Sequence, residues 1–287
     1  MTTVPERAGR RCQNVVNPLH SAIYFTPDFQ QEVAGLGVTD RMASYFVSRS
    51  AALGRVGAGT VAATFFNFKY ELVARHLPAV WEVITPQAAL DARLRAADSM
   101  LRRLLGEEAI EGKEMAEAAE LALRAAEACS RAARPLYAAN ADLPVPDAPH
   151  LALWHAAGLL REHRGDGHLM TLVDAGLDPV EALVSHTASG RGMSPAWILR
   201  TRGWSSEEWA AAQDRLRERG LLDAAGELTE SGTALRKELE DATDRLDRAP
   251  FEHLGAAGTA RLTELAGAYT ARAATGGAFP PDLIGKG

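Results

Sequence analysis

The sequence predicts a mainly all-α protein: an N-terminal multi-helix domain, then a winged helix-turn-helix-like domain with one small β-hairpin. Three observations carry that expectation. Helix-start signals recur along the chain: Thr26-Pro27, Thr85-Pro86 and Ser194-Pro195 each set a hydroxyl cap before a proline whose missing N–H costs nothing there. The segment 86–105 puts Ala89, Leu90, Leu94, Ala97, Leu101 and Leu105 on one helical stripe. Beyond residue 205 the order is helix, two short apolar arms around a turn, then a long helix, which is the winged-helix order.

In chain order, residues 1–17 are polar and irregular and are expected as a flexible arm. Helices are expected near 18–24, 27–35, 40–52, 57–65, 68–76, 86–105, 113–134 and 149–164, the last breaking at Gly165-Asp166-Gly167. The proline-rich stretch from Asn140 to Pro149 marks the boundary between a helical domain (18–145) and the hinge and winged helix (146–287). Further helices fit 167–175, 179–188 and 195–202. Asp178 with Glu181, and Ser205 with Glu208, read as capping boxes. A hairpin over 221–229, a helix from Glu230 to Arg248 and a terminal helix near 259–272 complete the pattern.

Composition narrows the function. The chain has 287 residues, 47% hydrophobic content and a net charge of -6, which does not favour a non-specific polyanion binder. Its 2 cysteines, Cys12 and Cys129, have no zinc-ligand or CxxC spacing, so a reducing cytoplasm is expected. No apolar run suggests a signal peptide or a membrane span. No P-loop, GxGxxG or GxSxG motif occurs, which argues against nucleotide, hydride-transfer and serine-hydrolase chemistry.

The segment LRERGLLDAAGELTESGTALRKELE resembles the wing and following helix of MarR-type regulators. Over residues 18–255 the chain resembles the SalK-like family of actinobacterial proteins, on Tyr24-Phe25, Tyr45 with Arg49, the FFNF at 65–68, LWHAAGLLREHRGDGH and Arg202-Gly203-Trp204. Phe66 stands where the pattern suggests tyrosine, and Ala52 where it suggests proline. The resemblance implies a helical domain joined to a winged helix and says little of activity.

Charge argues against DNA reading. The candidate recognition helix sets Arg215, Arg217 and Arg219 against Glu207, Glu208, Asp214 and Glu218, and the hairpin region carries Asp223, Glu227 and Glu230 with no basic residue. The polar residues concentrate elsewhere. On a helix from 149, Leu151, Trp154, His155, Gly158, Leu159 and Glu162 share one face, so His155 and Glu162 are expected to be buried and to need partners. Three arrangements compete. Arg161, Glu162, Arg164 and Asp166 could form an ion-pair and capping network, with Asp166 capping the helix that begins at 167. Alternatively, Arg161 or Arg164 binds an anion while His155, His163 or His168 moves protons. The third is a metal site, for which the spacing is poor.

From the N-terminal half, His20 with Tyr24, and Tyr45 with Arg49, stand four apart on helical faces, and Asn67 interrupts an aromatic run. The expectation is a small-molecule-binding protein with a pocket lined by His20, Tyr24, Tyr45, Arg49, Asn67, His155, Arg161, Glu162, His163, Arg164, Asp166 and His168. The winged helix then serves as scaffold or homodimer surface. The alternatives are a MarR-like ligand-responsive regulator and a metal-dependent enzyme. No cofactor is specified.

Overall fold

The computed structural model describes residues 4–285. In order, its helices are α1 (Ala8–Ser21), α2 (Asp28–Ala34), α3 (Arg41–Ser50), α4 (Ala58–Phe65), α5 (Tyr70–Ala74), α6 (Pro86–Leu105), α7 (Glu107–Ile110) and α8 (Lys113–Ala126). There follow α9 (Pro135–Ala141), α10 (Pro149–Asp174), α11 (Pro179–Ala188), α12 (Pro195–Thr201), α13 (Ser206–Glu218), α14 (Glu230–Leu246) and α15 (Arg248–Thr275). Among the described residues no helix is long and apolar enough to cross a membrane.

The chain divides into two compact units, neither of them continuous in sequence. One comprises Met1–Arg55, Val80–Gly167 and Asp244–Phe279; the other comprises Val56–Ala79, His168–Thr243 and Pro280–Gly287. In the first unit α1 packs along α15, and α15 also packs on α8. Cys12, Val16 and Leu19 of α1 and Leu262, Leu265 and Ala266 of α15 form part of that core. Each large apolar side chain so buried contributes about 1.5–3 kcal/mol.

This packing explains the first departure from expectation. Residues 8–17 are helix rather than loose arm, and α1 runs on through Pro18. An interior proline costs a helix about 3 kcal/mol, but the buried Cys12–Val16–Leu19 face offsets it. Pro18 is therefore no helix start.

The helix expected over 113–134 stops at Ala126, and a separate α9 begins at Pro135. Proline disfavours helical backbone in the residue before it, and Arg134 adopts φ -124°, ψ 74°. The break expected at 165–167 does not occur, since α10 is continuous to Asp174. Two helical glycines cost roughly 2 kcal/mol; the tertiary bonds of residues 162–168, described below, hold the helix through them. The terminal helix is longer than expected, beginning at Arg248 and interrupted at Gly255.

In the second unit, α11 and α13 pack together around Val180, Leu183, Val184, Trp209, Ala212 and Leu216, with Ile198 of α12 and Leu239 of α14 completing the cluster. Both capping boxes form. The expected hairpin is reduced to one antiparallel bridge, Leu222 with Leu228, closed by Asp223 N–H on Glu227 O at 2.9 Å. Its arms are too short to be strands. Below it, α14 begins so close that a Cβ on Gly232 would lie 2.0 Å from the Leu221 carbonyl oxygen.

Candidate functional site

Glu162 is the centre of a buried cluster in the first unit. On α10 it is 3% exposed. Its Oε2 accepts from Nη2 of Arg49 at 3.2 Å, and its Oε1 accepts from Nη1 of Arg161. Burial alone would raise the carboxyl, but the charges of Arg161 and Arg49 overcome it and hold it at about 2.

Arg49 and Tyr45 share a face of α3, as the four-residue spacing predicts. The ring of Tyr45 meets Tyr24 edge-on at 5.5 Å, and Arg161 stands 5.4 Å over Tyr24.

His20 joins the cluster from α1. Its Nδ1 lies 3.1 Å from the Trp154 carbonyl and its Nε2 lies 3.2 Å from the Tyr24 hydroxyl. A carbonyl only accepts, so Nδ1 carries the proton and Nε2 accepts from tyrosine. Burial, followed by the fields of Arg93 and Arg161, pushes the imidazole down to about 3, so it is neutral. It also stacks on Trp154 at 4.5 Å. Gly158 is where this imidazole approaches α10: a Cβ there would meet the His20 ring at 2.6 Å. The absence of a side chain at Gly158 is thus what lets His20 pack against α10.

Arg93 is a member that sequence reasoning missed. It is 4% exposed, donates to Ser48 O at 2.9 Å and to Asn140 Oδ1 at 3.0 Å, and lies 5.3 Å over the Trp154 ring. The signal was present, because Arg93 falls four residues from both Ala89 and Ala97 on the buried stripe of α6. Trp154 and Asn140 were also passed over as site residues. Burial and then Arg93 press His155 down to about 4, so it too is neutral.

The cluster thus holds three guanidinium groups, Arg49, Arg93 and Arg161, around one carboxylate. Asp166 is the further acid near Arg49. Burial raises it to about 6, and its Oδ2 already accepts the amides of Leu136 and Tyr137 at 3.0 and 2.9 Å. With Asp166 counted, the cluster sets two carboxylates against three guanidiniums among the described residues. Among the described residues the buried Nε1 of Trp154 and Nε of Arg161 have no hydrogen-bond partner.

Asp166 aside, the remaining predicted residues make their own, separate contacts. Asp166 caps α9 rather than a helix beginning at 167. His163 is buried with Nδ1 2.7 Å from Asp247 Oδ1, and Gln13 donates to that aspartate's other oxygen at 3.1 Å. Arg164 pairs with Asp244 at 2.8 Å, as Arg10 does at 2.7 Å. His163 and Arg164 therefore belong to a structural network tying α1 and α10 to residues 244–247. Asn67 and His168 lie in the second unit. Trp204 Nε1 donates to Asn67 O at 3.0 Å, and His168 Nδ1 bonds Thr243 Oγ1 at 2.8 Å. Among the described residues no group of three or more His, Cys, Asp or Glu could hold a metal ion.

In the second unit α12 and α13 follow one another across a short connection, and the tight loop comes after them. The arginines of α13, and Arg219 at its C-cap, are all engaged within the chain. Arg215 donates to Glu181 at 2.8 Å and to Asp178 at 2.6 Å. Arg219 reaches Glu181 at 3.3 Å and the carbonyls of Ala175 and Gly176. Arg217 holds Asp214 at 2.7 Å and the Asp223 carbonyl at 3.1 Å. Exposed on α13 are Ser206, Glu207, Ala210, Ala211, Asp214 and Glu218, with Arg219 exposed just after it, and on the loop Asp223, Ala224, Ala225 and Glu227.

These elements define a mainly α-helical protein built around a helix-turn-helix unit. The chain belongs to a helix-turn-helix family, matched over residues 9–280. No curated protein and no solved structure matches it.

Proposed function

We propose that this helix-turn-helix family member binds a small anionic molecule in its first unit, and that α13 is not a DNA-reading helix. One observation carries the first part: Arg49, Arg93 and Arg161 gather in buried surroundings with fewer acids than cations. Gathering buried cations in excess of acids is costly, and a ligand carboxylate or phosphate would add negative charge bidentately. Tyr24, Tyr45 and Trp154 offer aromatic surface beside it. Titration calorimetry with organic acids and phosphate esters tests this. A saturable heat that Arg161→Ala abolishes is expected; no saturable heat from any of them would overturn it.

For the second part, α13 presents carboxylates where phosphate contacts would be needed, and the family's fold does not by itself imply DNA binding. The same proposal places the chain with SalK-like proteins in the cytoplasm, with the helix-turn-helix unit as scaffold or homodimer surface. The competing reading is a MarR-like ligand-responsive regulator, for which the helix-turn-helix family supports only a fold that could bind DNA. A gel-shift with the chain's own upstream DNA at low salt separates the two.

A further inference from the structure

We propose a second oxyanion site, inside the second unit, at Arg236 of α14, with Thr243 of the same helix bonded to His168 of α10. It is independent of the first-unit cluster, since no residue is shared.

The geometry of Arg236 carries the proposal. Its side chain is 8% exposed, yet the nearest carboxylate, Glu240 Oε1, stands 3.7 Å from Nη2, which is beyond hydrogen-bond reach. Its Nη1 is buried with no acceptor among the described residues. A buried guanidinium with an unmet N–H₂ group bears a desolvation penalty that Glu240, at 3.7 Å, offsets only in part. In the other unit, the equally buried Arg93 has both its Nη groups satisfied, by Ser48 and Asn140.

The neighbours of Arg236 suit an anion. Burial, then Arg236 and His168, with Arg191 adding and Glu240 opposing, press His186 down to about 4. Thr243 donates its hydroxyl proton to Leu239 O at 2.7 Å, so His168 must donate Nδ1–H to Thr243. An oxyanion would give Arg236 Nη1 its missing acceptor. Its charge would also oppose the fields of Arg236 and His168 at His186, so that binding favours proton uptake there. The chemistry is that of phosphate or a carboxylate, and affinity should rise as pH falls.

The test is a titration with inorganic phosphate, and separately with acetate, following the imidazole Hε1 resonances of the full chain at about pH 6. Saturable shifts of His186 and His168 are expected, with affinity lower by about tenfold or more in Arg236→Met, which loses the charge-assisted bonds. Phosphate binding tighter than acetate identifies phosphate as the preferred class, and the reverse identifies a carboxylate. No saturable shift with either anion, or equal affinity in Arg236→Met, overturns the site. If that variant does not fold, Arg236→Lys keeps the charge and removes Nη1, and unchanged affinity there is equally fatal. Arg161→Ala, in the other unit, should retain the His186 response; its loss would overturn the independence of the two sites.

Discussion

Arg49 of α3 and Glu162 of α10 meet at 3.2 Å across 113 residues of chain, and Arg161 holds the other oxygen of the same carboxylate. One acid thus balances guanidiniums from two helices. Removing it should cost more than removing either cation. Glu162→Gln is expected to lose about 3 kcal/mol, because it leaves buried cations with only Asp166 near. Arg49→Met should cost clearly less, since Arg161 still pairs. Urea denaturation measures both, and an equal or smaller loss for Glu162→Gln would show that the charges are not coupled in this way.

Asp166 accepts two amides at the start of α9 from a different helix. Asp166→Ala should destabilise the protein by about 1–2 kcal/mol, as lost caps do. The effect should be local, with hydrogen exchange accelerating first at the amides of Leu136 and Tyr137. Uniform acceleration across the unit would contradict a capping role.

Gly158→Ala places a methyl group against the His20 ring at 2.6 Å. Overpacking of this kind costs roughly 1–3 kcal/mol. Pairing it with His20→Ala should recover part of that loss, because the clash is with the imidazole. A double-mutant cycle in urea reads the coupling, and strict additivity would show that the backbone shifts instead.

His20, His155 and His186 are held neutral in the folded chain, at about 3, 4 and 4. Unfolded histidine takes up its proton near pH 6.5, so below that pH the unfolded state binds more protons and stability falls. Each histidine should contribute a slope on the order of 1.4 kcal/mol per pH unit below 6.5, down to its folded value. Asp166, raised to about 6, acts in the opposite sense. Its stabilisation is present at low pH and is lost as pH rises through 6. Chemical denaturation between pH 4 and 7 should therefore show a net loss on acidification that His20→Gln and His155→Gln reduce.

On DNA, the wild-type chain should give no shift at low salt. Asp178→Asn with Glu181→Gln removes the two acids that hold Arg215 and Arg219 while keeping an N-cap at 178. That double variant should gain weak, salt-sensitive binding. Tight binding by the wild type would refute the scaffold reading.

Part of this molecule was legible in its sequence because the forces concerned act within one helical turn. The caps at Thr85, Asp178, Ser194 and Ser205 bond amides two or three residues away, so α6, α11, α12 and α13 were placed closely. The excess of acids on α13 and its loop was equally local, and so was the pairing of Tyr45 with Arg49 on one face. The tertiary structure decided the rest. Whether Pro18 starts a helix or sits within one depended on α15, and whether Gly165 and Gly167 break α10 depended on partners from α3, α9 and α14. Arg93 reaches Asn140 across 47 residues and Arg49 reaches Glu162 across 113. No spacing rule encodes such pairings, because a buried charge selects its partner by burial and distance.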